Sequence, residues 1–195
     1  MFIEVLVIGI GSLVALFGVG AAVAGYETAA KVAPIAGSTP AAGAAIAFAY
    51  ALGILIDRCA DILLKSKRRS LRARYFSSNS SYAAARRSVS HFPDLVARAD
   101  YARSRMRICR GWFLNSILLL ISVDLVLIRF PVQGRPVLIV VATVLGLLTV
   151  AGFYIAWAGI TLTSYKKLHQ QAQIAETSVP SQQNGTPEGT GAALS

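Results

Sequence analysis

The stretch VLVIGIGSLVALFGVGAAVAGY, Val5–Tyr26, decides the fold: 22 consecutive residues carry no charge. A helix rises about 1.5 Å per residue and a bilayer hydrocarbon core is about 30 Å thick, so about 20 apolar residues suffice to cross it. The Ala22-Val23-Ala24 triplet resembles a signal-peptide cleavage site. A signal peptide, however, opens on a basic segment and has a shorter apolar core. This stretch is preceded by Met-Phe-Ile-Glu, and we read it as an uncleaved span.

Three more stretches qualify further along the chain. Ala41–Ile56 continues through Asp57, Arg58 and Asp61 into Ile62, Leu63 and Leu64, so its helix is expected to enter the headgroups near Asp57. Gly111–Ile128 contains Asn115 and Asp124, and Val137–Leu162 is long enough to require tilt or protrusion. Over the whole chain 55% of residues are hydrophobic and only 14% charged, with a net charge of +10. Soluble domains carry about 25% charged residues, so the composition points to lipid, and the positive charge excludes an acidic, solvating protein. Two cysteines, Cys59 and Cys109, exclude a disulfide-stapled secreted scaffold. Both fall near the basic boundary, where free, packed thiols are expected.

Of the 19 basic residues, 13 lie between Lys65 and Arg110, against two acids, Asp94 and Asp100. Short loops rich in Lys and Arg stay in the cytoplasm, which puts this segment and both termini inside. Lys166 and Lys167 fall on the same side, and only Lys31, Arg129 and Arg135 remain outside. Tyr26 and Trp112 sit near helix ends, as amphipathic rings do at the headgroup level; Trp157 fits only if the fourth helix is displaced inward. Pro34, Gly37 and Pro40 punctuate one turn, and Pro131, Gly134 and Pro136 the other.

The expected architecture is an all-α integral membrane protein of the inner or plasma membrane, with four transmembrane helices in two antiparallel hairpins and a basic helical cytoplasmic extension. Its parts are 1–64, the first hairpin; 65–110, the cytoplasmic segment; 111–171, the second hairpin; and 172–195, a polar tail without an apolar face, read as disordered. Asn184-Gly185-Thr186 in that tail fits a glycosylation acceptor, which a cytoplasmic tail does not use.

Helix pairing in lipid relies on small residues. The second span offers two ladders, Gly43/Ala47/Ala51 and Ala45/Ala49/Gly53, and the first offers Gly11/Ala15, Gly18/Ala22 and Ala21/Gly25. They serve either an intramolecular seam or a homo-oligomer. Within the cytoplasmic segment, Lys65–Phe76 is expected to prolong the second helix and Ser77–Ser81 to break it. Tyr82–Arg110 then returns, with an interruption at Pro93. After Pro93, Leu95, Ala99, Ala102 and Met106 recur at helical spacing; Asp94/Arg98 and Asp100/Arg103 are spaced as ion pairs. Arg103, Arg107 and Arg110 form a basic stripe, the candidate surface for anionic lipid or an acidic protein partner. Tyr75, Phe76, Tyr82 and Tyr101 supply rings that nucleic acid would need for stacking. Without a nucleic-acid fold signature that partner is disfavoured.

Asp124 and Asn115 form the candidate intramembrane polar site, because an ionisable group at depth is by default a functional hypothesis. Asp124 lies about 6 Å of helix rise from Ile128, within reach of Arg129, Arg135 or Thr143. Asp57, Arg58 and Asp61 form a candidate ion-pair cluster at the cytoplasmic end. The same residues, Gly53-Ile-Leu-Ile-Asp57-Arg-Cys-Ala-Asp61, resemble the second half of the metal-binding signature of CDP-alcohol phosphotransferases. That resemblance covers nine residues and implies two carboxylates on a divalent metal. The upstream Asp pair and Ala-Arg of that family are absent, since no acid lies between Glu27 and Asp57. The alternative is pairing of Asp57 and Asp61 with Arg58, Lys65 or arginines of the returning helix. Arg86-Arg-Ser-Val-Ser-His91 has the Arg-x4-His spacing of HEPN ribonucleases, two residues before a helix-breaking Pro93. His91 and His169 are read as surface residues. No Walker loop, zinc spacing, nucleophile elbow or dinucleotide fingerprint appears. The sequence therefore points to a membrane scaffold or accessory subunit without catalytic, cofactor or metal residues. The alternative function is an oligomeric pore or transporter-like protein using Asp124.

Overall fold

The computed structural model describes residues 2–36 and 38–177, and among them every regular element is a helix. Four helices are long and apolar enough to span a membrane: α1 (Phe2–Ala24), α3 (Thr39–Leu63), α6 (Pro93–Arg129) and α7 (Arg135–Thr177). Three shorter ones complete the chain: α2 (Tyr26–Ala36), α4 (Lys65–Ala73) and α5 (Asn79–Ser90). Gly37 and the chain from residue 178, including the Asn184-Gly185-Thr186 triplet, lie outside the described residues.

The helix boundaries follow local chemistry. Gly25 takes a left-handed φ of 86°, open to a residue without Cβ, and separates α1 from α2. Tyr26 therefore starts a second helix where the sequence suggested only a turn. Pro40 sits in the first turn of α3 and Pro93 in that of α6, positions whose N–H has no intrahelical acceptor to lose. The expected interruption at Pro93 is thus the start of a single 37-residue helix that runs into the third span.

Between α3 and α5 the chain departs from the expected straight prolongation. Leu64, at φ −89° and ψ 2°, breaks the helix, and α4 ends at Ala73. Along α4, Lys65, Arg68, Arg69 and Arg72 repel one another at i, i+3 and i+4. Bending at Leu64 also turns Leu64 and Leu71 inward onto Trp157 of α7, with Met106 and Cys109 of α6 against them. A straight helix would leave Leu71 in water. The expected polar break holds the cap of α5: Ser78 Oγ accepts the Ser81 N–H (3.0 Å) and Ser81 Oγ accepts the Ser78 N–H (3.2 Å).

In the packing of the long helices α1 lies against both α3 and α6, α3 also meets α6, and α6 lies against α7. α1 and α3 meet backbone to backbone, where a Cβ on Gly9 would strike the Ala49 carbonyl and one on Gly53 the Val5 carbonyl. The ladder containing Ala49 and Gly53 is thus an intramolecular seam, whereas Gly43, Ala47 and Ala51 stay exposed. α7 has 43 residues and is roughly 65 Å long. Its far end packs on α4 and α5, where Phe76, Ala85 and Ala172 form a second cluster with Tyr82, Tyr165 and Leu168. Ala172 to Thr177, placed in the polar tail by composition, are the last turns of this helix. Trp157 is only 2% exposed and belongs to the Leu64–Leu71 cluster, so its ring packs in the bundle.

Candidate functional site

Asp57 and Asp61 lie one turn apart on α3, on the face that meets α6. A guanidinium presents donors in a planar fork and can serve two carboxylates at once, and Arg110 does so here. Its Nη2 donates to Asp57 Oδ1 at 2.5 Å and its Nη1 to Asp61 Oδ1. Arg68 of α4 donates to the same Asp61 oxygen at 2.5 Å. One turn down α6, Arg107 lies between two acids, with Nε 3.6 Å from Asp57 Oδ2 and Nη1 3.6 Å from Glu4 Oε2. Ser104 Oγ donates to the other Glu4 oxygen at 2.5 Å. Three carboxylates and three guanidiniums thereby join α1, α3, α4 and α6. The Asp57 and Arg110 side chains are only 11% and 14% exposed, so the pairs are largely withdrawn from water.

Several expectations change on this geometry. Arg58, grouped with Asp57 and Asp61 by sequence, is exposed and outside the network; Arg110 and Arg68 hold the places expected of it. The stripe Arg103, Arg107 and Arg110 is not one outward surface. Arg107 and Arg110 are spent on inward carboxylates, and only Arg103 is open, 53% exposed beside Asp100 at 3.0 Å. Asp94 and Arg98, spaced as a pair, form no ion pair among the described residues. The Asp57 and Asp61 oxygens face guanidiniums, and no group of three or more His, Cys, Asp or Glu able to hold a metal occurs among the described residues.

Asn115 and Asp124 do not form one site. Nine residues apart, they project from opposite sides of α6, about half a turn from each other. Asn115, 0% exposed, accepts from Ser12 Oγ (2.6 Å) and donates to the Ile8 carbonyl (2.6 Å), pinning α6 to α1. A Cβ on Gly11 would collide with it, so glycine makes room for the amide. Asp124 faces α7 and accepts from Thr143 Oγ1, 3.1 Å and 3.3 Å from its two oxygens. Arg135 instead donates to the Phe130 carbonyl at 2.7 Å.

The aromatic residues that nucleic acid would need are mostly turned inward. Phe76 is buried; Tyr82 meets it edge to face at 5.3 Å and Tyr165 at 5.9 Å. His169, expected at the surface, is half-buried with its ring 5.6 Å from Phe76. Tyr101 alone of the four is exposed. His91 is exposed at the end of α5, so the Arg-x4-His spacing ends at the helix terminus. Cys59 is exposed and Cys109 half-buried, both free.

Glu4, Ser104 and Arg68 are the network members that the sequence reading missed. Glu4 is the lone acid ahead of the first apolar run, which was its only signal. No family model, curated protein or solved structure matches the chain.

Proposed function

We propose that this protein is a multi-pass scaffold or accessory subunit of the inner or plasma membrane. In this reading both termini are cytoplasmic, and a rigid basic helical base is held at the cytoplasmic face to bind an acidic partner protein. The single observation that carries the reading is the sorting of charge. Glu4, Asp57 and Asp61 are drawn inward onto Arg68, Arg107 and Arg110. Arg69, Arg74, Arg86 and Arg87 on α4, its C-cap and α5 are left exposed, without an ion pair among the described residues. Acids that would neutralise the surface are thus used as internal cement, and the field outside stays positive. Clusters built on Phe76 and Leu71 hold that surface against α7, which suits docking of a partner without an ordering cost.

The test uses the full chain in zwitterionic nanodiscs with polyglutamate as an acidic protein surrogate. Binding should be present at low salt, weaken as salt rises, and be lost in the variant Arg69→Gln/Arg74→Gln/Arg86→Gln/Arg87→Gln. Absence of wild-type binding, or binding untouched by the four substitutions, would overturn the reading.

A further inference from the structure

A second set of exposed cations has a different placement. Leu64 at the α3–α4 junction, Met106 of α6 and Tyr165 of α7 all border one buried cluster, so these points of the chain are gathered around it. The sequence neighbour of each is a cation: Lys65, Arg105 and Lys166. All three are exposed, turned away from the cluster that their neighbours enter. Arg58 repeats the pattern one step along α3, exposed beside the buried Asp57. None of the four has a carboxylate partner among the described residues; Arg105 lies over the ring of exposed Tyr101, 5.7 Å from its centroid.

At Lys65 the cations also meet the edge of the apolar surface, since Ile62 and Leu63, just before it, are exposed. Arg58 stands two turns before Lys65, about 10 Å further into that surface, and a long side chain there reaches toward the polar boundary by snorkelling. A partner protein would approach from one side, but the four cations are spread over α3, the start of α4, α6 and α7. The ligand that reaches all of those faces is the headgroup layer of the membrane itself.

We infer that Arg58, Lys65, Arg105 and Lys166 form a cationic girdle that binds the phosphate groups of anionic phospholipids on this side of the membrane. The inference rests on the membrane-spanning reading, but it concerns a surface separate from the base formed by α4 and α5. The inward network engages Asp57 and Asp61 with Arg68, Arg107 and Arg110, so neither neutralises the four cations.

The experiment purifies the full chain from mixed micelles of equimolar phosphatidylcholine and phosphatidylglycerol and measures the lipid retained with it. The wild type should retain an excess of phosphatidylglycerol. Arg58→Gln/Lys65→Gln/Arg105→Gln/Lys166→Gln should return that excess to the input ratio, with helix content unchanged by circular dichroism. Arg69→Gln/Arg74→Gln/Arg86→Gln/Arg87→Gln, which removes as many charges from the base, should keep it. No excess in the wild type, or equal loss in both variants, would overturn the girdle. So would loss of the whole excess through any one of the four substitutions alone, since that marks a one-sided site. Polyglutamate binding, measured on the same samples, reports on the base independently, so either proposal can fail while the other stands.

Discussion

Arg110 is the residue on which most of the molecule's ionic architecture turns. Removing one partner of a buried pair costs about 3–5 kcal/mol, and because Asp57 keeps Arg107 and Asp61 keeps Arg68, loss of Arg110 belongs at the low end of that range. Arg110→Ala should therefore lower thermal stability in detergent sharply. The triple variant Arg110→Met/Asp57→Asn/Asp61→Asn should recover most of the loss, because it deletes both sides of the charge pair. If the triple variant proves as unstable as the single one, packing rather than charge sustains this end of the protein. Asp124 predicts the opposite behaviour. Asp124→Asn keeps an acceptor for Thr143, so its effect on stability should be about 1 kcal/mol or less. Liposomes holding wild type or variant should show the same background ion flux. Wild-type flux that disappears in Asp124→Asn would replace the scaffold with a pore.

Among the elements, the α1–α3 contact is the tightest and the most sensitive to volume. A side chain at Gly9 meets the Ala49 carbonyl, backbone that cannot move aside without shifting a helix. Gly9→Val should destabilise by about 1–3 kcal/mol or more. Gly43→Val, on the same pair of helices but with nothing within 4 Å of its added carbon, should change monomer stability by about 0.5 kcal/mol or less. A shift of Gly43→Val toward monomer in analytical ultracentrifugation would show that the open ladder is a seam between copies. The sequence made this region partly legible: it identified both ladders as small-residue faces. It did not say which one faces α1, because that depends on the rotation of α3, which Asp57 and Asp61 fix by reaching Arg110 and Arg107 of α6. The break at Leu64 was hidden for a similar reason. No proline or glycine stops a helix between Leu63 and Lys65, and the direction of the bend follows from where Trp157 receives Leu71.

For the whole molecule, the four apolar helices could be read from length and hydropathy, since both are properties of single segments. The ion-pair network was legible in kind, as acids of α3 answered by arginines of the returning helix. Its membership was not, because Glu4 and Arg68 enter only through three-dimensional placement. Threading rests on the concentration of 13 basic residues between Lys65 and Arg110. Reporters fused after Ser78 and after Ser195 should both read as cytoplasmic, and a periplasmic signal from either would reverse the arrangement.

The bonds from α1 to α6 also impose a timetable. Ser104 lies 100 residues after Glu4, and Asn115 lies 103 after Ser12. At about 5–20 residues per second of synthesis, α1 waits roughly 5–20 seconds before the residues that complete it emerge from the ribosome. During that interval Asp57 and Asp61 have also been made without Arg107 or Arg110, and the contact of Gly9 with Gly53 is what holds the nascent pair of helices together. A chain arrested before residue 104 carries Glu4, Asp57 and Asp61 without their partners on α6, and only Arg68, which also holds Asp61, has been made.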